Sequence, residues 1–429
     1  MTALLDRDRG NWPKPCASDR GGQDGAQRLY RLYSVTGAPS PTTARPVLKP
    51  PRRLLLAPLV GATLLAVFLG VVVVVSALIH PRLGSVPGTP GPLEWVGVLH
   101  THTDRSHDGG GTLDELVAAA QGIDFLLVTD HGQRGFAAHH YRESLLLLAG
   151  EEVSTRDGHL VVVGTEPIGH LAPDAPPGPA VGADQGFRIA AHPMGRSRWT
   201  AWGSGHFDGM EIWNADTARR GDGLGEWLHA LALIPLRPVA GLYRLLDYPS
   251  LNLAAWDSLT RRRRVPGFCG VDAHNSLPLP WGLNLHFPRY RHSLAVARQH
   301  VFLAEPPSGD ASRDAALVID ALRQGRSFCA FSGLADARGA QFMVHSASQT
   351  FGLGDSVAWS PDSRVEVQLP PGGEGAFLRL IRDGRVVAQG RGRNWLAELT
   401  GPGVYRVEVF LELGGRMPWI LTNPVWVVG

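Results

Sequence analysis

The sequence predicts an α/β barrel, with a membrane-spanning helix ahead of it and a small antiparallel β-sandwich-like domain behind it. Three observations predict this. Between residues 93 and 335, short apolar runs alternate with helix-like stretches, the pattern of a parallel sheet. Residues 54–79 are apolar and carry no charge. After residue 335 the runs shorten, several alternate with period 2, and turns such as Arg382-Asp383-Gly384-Arg385 separate them.

Residues 1–53 are rich in Arg, Gly, Ser and Pro and read as a disordered tail. Residues 54–80 follow as an anchor, with unbroken valine from Val71 to Val75. Arg45, Lys49, Arg52 and Arg53 precede it, and only Arg82 follows closely. The positive-inside rule then predicts a single-pass protein with a cytoplasmic N-terminus and an extracytoplasmic barrel. A cleaved signal peptide fits poorly, because the run is too long and starts too late. Residues 81–92 are a Pro/Gly linker, 93–335 the barrel and 336–429 the β domain.

Seven strand-like runs lie in the barrel region, at 95–99, 125–129, 159–163, 187–191, 209–213, 267–271 and 301–303. Helix-like runs include 112–121, where Thr112 and Glu115 have capping-box spacing, and 311–324. The Leu-rich stretch 227–246 is broken by Pro235 and Pro238 and reads as a barrel or surface helix. A net charge of +2 gives no bulk electrostatic case for nucleic-acid binding. Three cysteines make neither a disulfide framework nor a CxxC metal motif. Cys269 and Cys329 lie in apolar runs and read as small buried hydrophobes.

The chemistry lies at the strand ends. His100 and His102, at i and i+2, are expected on one side of a strand. His107 and Asp108 follow in the next loop, and Asp130-His131 ends the second strand. Gly150-Glu151-Glu152, His159, Ala191-His192-Pro193 and Asp272-Ala273-His274 continue the series. One histidine at a strand end is more often structural than a ligand, but six successive sites of His, Asp or Glu point to one metal centre. Imidazole and carboxylate without thiolate suit Zn, Mn or Fe. Arg105, Arg134, Arg196 and Arg198 follow ligand positions and suit a clamp on substrate phosphate. His107, His139 and His140 are candidate proton donors to a leaving group. Asp130 would either orient His131 or cap a helix. Glu211 and Asn214 end another strand and could line the pocket, and Trp199, Trp202, Trp213 and Trp281 could wall it or pack the core.

In order and spacing, these motifs resemble the PHP (polymerase and histidinol phosphatase) family, in its membrane-associated CehA/McbA-like branch. The resemblance covers about residues 95–335. It implies a distorted (β/α)7 barrel holding three divalent ions. His100, His102, Glu152 and Asp272 would hold one ion. Glu152 would bridge to a second, held by His159 and His192. A third would sit with His131, His274 and either Asp108 or His107, with Asp108 preferred because many members have Ser-Asp-Gly where this chain has Ser106-His107-Asp108. The implied activity is hydrolysis of a small-molecule or oligonucleotide phosphoester by metal-activated water. Carbamate or carboxyl-ester hydrolysis is the alternative, and a non-catalytic binding module is an alternative of another class.

Overall fold

The computed structural model describes residues 52–79, 87–132, 137–164, 186–195, 197–218, 224–413 and 415–429. Residues 1–51 of the expected tail, part of the linker, Arg134 and Arg196 therefore lie outside the described residues, while Arg52 and Arg53 begin the first helix. The first helix, α1 (Arg52–Ile79), is described by itself. Among the described residues no helix is long and apolar enough to cross a membrane. This overturns the expected anchor, and the single-pass topology with it.

Eight strands build the barrel region: β1 (Glu94–Thr101), β2 (Phe125–Val128), β3 (His140–Arg142), β4 (Leu145–Thr155), β5 (Gly158–Val163), β6 (Phe187–Ala190), β7 (Gly209–Asn214) and β8 (Gly267–Ala273). All except β3 form a ring in the order β1-β2-β4-β5-β6-β7-β8, which closes where β8 pairs with β1. The expected (β/α)7 barrel is thus replaced by a seven-stranded closed barrel that is poor in helices. Among the described residues, helices occupy only two of its connections. Between β1 and β2 runs α2 (Leu113–Ala119), and Thr112 and Glu115 close the capping box expected there. Between β7 and β8 run α3 (Leu224–Leu233), α4 (Pro238–Arg244) and α5 (Ser250–Thr260).

The reason is local. Strands β4 and β5 pair antiparallel from Gly150↔Val163 to Thr155↔Gly158, so only Arg156 and Asp157 join them. Two residues make a hairpin and cannot hold the crossover that a parallel pair requires. Strand β5 is also antiparallel to β6, whereas the other ring pairings are parallel. The expected seventh strand at 301–303 lies outside the ring. It belongs to β11 (Arg298–Phe302), which follows the two-residue strands β9 (Leu277–Pro278) and β10 (Asn284–Leu285) and pairs antiparallel with β1. The ring strand that sequence patterning missed is β4. Its opening run Leu145-Leu146-Leu147-Leu148 lacks the β-branched residues that mark a strand.

Alternate residues of the ring fall into two buried clusters. Leu99, Leu127, Leu148, Val161, Ile189 and Phe268 share one. Val98, Leu126, Leu147, Val162, Ala190 and Cys269 share the other, together with Leu116 of α2. The cluster beneath α2 is the outer face, and the first cluster fills the barrel. Two short helix and strand elements follow, α6 (Tyr290–Ser293) and β12 (Ser327–Ala330), with α7 (Ala311–Gln324) between β11 and β12. The bounds of α7 match the expected helix, and its Ala315, Val318 and Leu322 pack into the barrel cluster.

The C-terminal strands are β13 (Gln341–Ser346), β14 (Gln349–Phe351), β15 (Ser356–Ala358), β16 (Arg364–Gln368), β17 (Phe377–Arg382), β18 (Arg385–Arg391), β19 (Asn394–Glu398), β20 (Gly403–Glu412), β21 (Arg416–Thr422) and β22 (Val425–Val428). Four of them form a separate sheet, β14-β13-β16-β19, while the others continue the barrel sheet where β21 pairs with β12. Val344, Val365 and Val367 of the small sheet share one core with Leu380, Val407 and Val409 of the large one. The buried Arg406 of β20 pairs with Asp257 of α5 through both carboxylate oxygens, 2.7 and 2.8 Å. Cys269 of β8 and Cys329 of β12 are buried as expected, but as a disulfide rather than as free thiols, with their Cα atoms 5.6 Å apart. Sequence spacing could not show this, because a separation of 60 positions carries no pairing signal.

Candidate metal centre

Glu152 shares the inward alternation of Leu146 and Leu148 and stands above them on β4. Five imidazoles surround its carboxylate. His100 Nε2 lies 2.9 Å away, His159 Nδ1 2.8 Å, His192 Nε2 2.9 Å, His102 Nε2 3.2 Å and His131 Nε2 3.3 Å. The β4–β5 hairpin delivers His159. Ser154 faces His159 across the pair, so Glu152, two residues back on the same face, meets it diagonally.

Two of these histidines break strand alternation. His100 and His192 have the parity of Val98 and Ala190, which face outward. Their φ angles of 65° and 27° turn them inward, and Asp272 adds a φ of 51°. Around His100 the ladder slips, with register shifts between β1 and both of its parallel neighbours. Positive φ costs a non-glycine residue on the order of 1–3 kcal/mol and persists where the surroundings over-determine it. Here it falls on three members of one cluster. The pair His100/His102 does converge, with ring centroids 5.1 Å apart, but through a bulge and not through the simple alternation the sequence suggested.

His100, His102, Glu152 and Asp272 are all buried and could hold one metal ion. Two observations fit these residues to a cation. His102 Nε2 and Asp272 Oδ1 are 3.2 Å apart, yet each is buried without a hydrogen bond. Buried polar atoms are almost always paired, so two orphaned ligand atoms aimed at one point match the needs of an ion. The donor set, imidazole nitrogens with carboxylate oxygens, is that of a borderline divalent metal. Two further groups surround the first, His131/Glu152/His159 and His102/Asp108/His131. His131 therefore joins both outer groups, where the sequence had assigned it to one. His192 reaches Glu152, and His274 Nε2 lies 3.2 Å from Asp108 Oδ2.

Asp108, not His107, meets the cluster. Its Oδ2 lies 3.4 Å from His131 Nε2, and Ser106 Oγ donates to its Oδ1 at 2.6 Å. His107 is 77% exposed at the rim, 3.8 Å from Asp108. Asp130 neither orients His131 nor caps a helix. It accepts from the backbone N–H of Thr103 at 2.6 Å and from its hydroxyl at 2.8 Å, and so fixes the loop after β1. Arg105 and Arg198 are exposed, and Arg134 and Arg196 lie outside the described residues. His139 accepts from Ala149 N–H, and His140 Nδ1 bonds Ala138 O. Trp199 and Trp213 are core residues, whereas Trp281 is 94% exposed.

Charge in the centre is mutually compensated. Burial alone would lower the His102 pKa, but the adjacent carboxylates of Asp272 and Glu152, each 3.2 Å from its Nε2, outweigh it and hold the group at about 9. Burial also opposes protonation of His100, where the carboxylates of Asp272, Glu211 and Glu152 prevail and hold it well above its usual range. For Glu152 burial favours the neutral acid, yet the surrounding histidines keep its carboxyl well below the usual carboxylate range. Asp108 and Asp272 are lowered likewise against burial, by His131 and His274 in one case and by His100 and His102 in the other.

Comparison with protein-family models, with curated proteins and with solved structures finds no match to this chain.

Proposed function

We propose that this chain is a metal-dependent hydrolase of the PHP type, acting on phosphoester bonds of a small molecule or an oligonucleotide. The observation that carries the reading is the buried convergence of His100, His102, Glu152 and Asp272, with two ligand atoms left without hydrogen bonds. The order of the strand-end motifs, which resembles that family, supports the same reading. His100, His102, Glu152 and Asp272 would hold the first ion, Glu152 with His159 and His192 a second, and His131, His274 and Asp108 a third. Bound divalent ions, Mn, Zn or Fe by donor type, supply Lewis acidity and lower the pKa of water.

The chain's own residues supply the rest. The side chains of His131, His159 and His274 are 12–21% exposed and that of Asp108 33%, while His100 and His102 are sealed. Substrate therefore enters over Asp108. His107, largely exposed beside Asp108, would give a proton to the departing oxygen. Glu152 holds five imidazoles in fixed positions, so little reorganisation remains for the reaction step. The test is to load purified protein with Mn²⁺ and assay phosphomonoester, phosphodiester and carboxyl-ester substrates. Turnover of a phosphoester, lost in His100→Ala, is expected. Turnover of carboxyl esters or carbamates alone would move the reaction to an acyl centre. Bound metal with no turnover on any substrate would leave a binding module.

A further inference from the structure

Every strand of the ring brings a member of the histidine–carboxylate cluster to its end or to the loop beyond it, except β7. Strand β7 instead brings Glu211, which is 2% exposed. The Glu211 carboxylate lies against His100 on the side away from Glu152. Its Oε1 is 2.6 Å from His100 Nδ1, and its Oε2 accepts from the backbone N–H of His192 at 2.6 Å. Asn214, also on β7, donates to Glu211 Oε2 at 2.8 Å and to Asp272 Oδ2 at 3.1 Å. Two side chains of one strand thus touch residues at the ends of β1, β6 and β8. These are His100, His192 and Asp272, the three cluster residues with positive φ.

A second observation is independent of these bonds. A Cβ on Gly270 of β8 would lie 1.9 Å from Glu211 Oε1 and 2.4 Å from its carboxyl carbon. Its φ does not fall in the left-handed region. The glycine is needed because the carboxylate occupies the place of its side chain.

We propose that Glu211 is the positioning residue of the metal centre, with Asn214 and Gly270 holding it in place. An ionised carboxylate only accepts, so Glu211 puts the ring proton of His100 on Nδ1 and frees Nε2 for metal. The same carboxylate anchors the backbone of His192 in its strained conformation. A histidine ligand fixed in this way is a better base and loses less freedom when it binds. Glu211 acts through His100 and His192 and is not itself a ligand. The proposal rests on the metal-centre reading above, and the experiment separates the two.

Wild type, Glu211→Gln and Gly270→Ala are stripped with chelator, and binding of Co²⁺ and Zn²⁺ is followed by visible absorption and by competition with an indicator. Glu211→Gln keeps the shape but cannot accept all three hydrogen bonds. Its affinity for the tightest ion should fall ~10–100-fold, and the Co²⁺ ligand-field bands should shift. The metal-free melting temperature should stay level or rise, because a buried carboxylate has been removed. Gly270→Ala touches no ligand and should give the same loss by displacing Glu211. Should Glu211→Gln fail to fold, Gly270→Ala carries the measurement. Equal affinity and identical Co²⁺ spectra in wild type and the folded variants would overturn the proposal. So would a variant whose metal-free stability falls while its affinity holds, since the role would then be structural. If wild type binds no ion, the metal-centre reading fails first.

Discussion

Removing metal should reverse the pH dependence of stability, and His102 sets the size of the effect. Its pKa rises from 6.5 to about 9 on folding, since the adjacent carboxylates of Asp272 and Glu152 outweigh burial. A folded pKa above the unfolded one stabilises the native state fully below pH ~6.5 and loses that contribution as pH climbs through 9. At 1.36 kcal/mol per unit, this side chain alone accounts for about 3 kcal/mol. His100, His192 and His274 shift in the same direction and steepen the loss. The lowered carboxyls of Glu152, Asp272 and Asp108 act oppositely: their contribution holds above pH ~4.5 and disappears in acid. Metal-free protein should therefore be most stable between pH ~4.5 and 6.5 and weaken towards pH 9. With excess Zn²⁺ or Mn²⁺ the slope should change sign, because ions compete with protons for the same imidazoles. Urea unfolding followed by tryptophan fluorescence reads both series, with the buried Trp213 and Trp256 as reporters. Chelated protein whose stability stays flat or grows from pH 6.5 to 9 would refute the reasoning. In His102→Asn the alkaline loss should shrink by about 3 kcal/mol.

Other outcomes follow from the same geometry. Glu152→Gln leaves five histidines around a neutral amide, and metal content by elemental analysis should fall to background while the circular-dichroism spectrum keeps its β signature. Asp108→Ala should lower the metal stoichiometry, whereas His107→Ala should leave it unchanged and lower only kcat. The opposite pattern would make His107 the ligand. Unfolded without reductant, the protein should show one thiol, against three after reduction. Cys269→Ser should destabilise the fold by about 4 kcal/mol on loop-closure grounds, read by denaturant titration. Asp130→Ala should loosen the loop after β1 through the loss of both Thr103 bonds. Faster hydrogen exchange at Thr103 and Ser106 would report this.

Much of the site was legible as motifs, because ligand chemistry requires His, Asp and Glu at strand ends whatever the backbone does between them. The geometry that joins them was less legible. Period-2 alternation puts His100 and His192 on the outer face, and only their positive φ turns them in. A propensity reading has no term for such strain. Glu211 was visible as a strand-end carboxylate, but its hold on His100 depends on a missing Cβ at Gly270 on the next strand, beyond three intervening helices. The fold class went astray for a definable reason. The expected alternation assumed a helix after each strand, whereas Thr155 and Gly158 leave two residues for a hairpin, and that hairpin carries His159 to Glu152. The antiparallel turn that contradicts a (β/α)7 barrel is thus part of what assembles the cluster. The C-terminal strands were separable by their turns, but their continuity with the barrel through β12 and β21 is long-range pairing with no local signature.

The most direct test of the central claim is the metal content of purified protein, measured by elemental analysis alongside phosphodiester hydrolysis. The account predicts bound Mn, Zn or Fe in at least one equivalent per chain, loss of metal and turnover together on chelation, and their joint return when the ion is restored. Protein that hydrolyses phosphoesters equally well after all metal is gone would contradict it, as would a His100→Ala variant that retains both ion and rate.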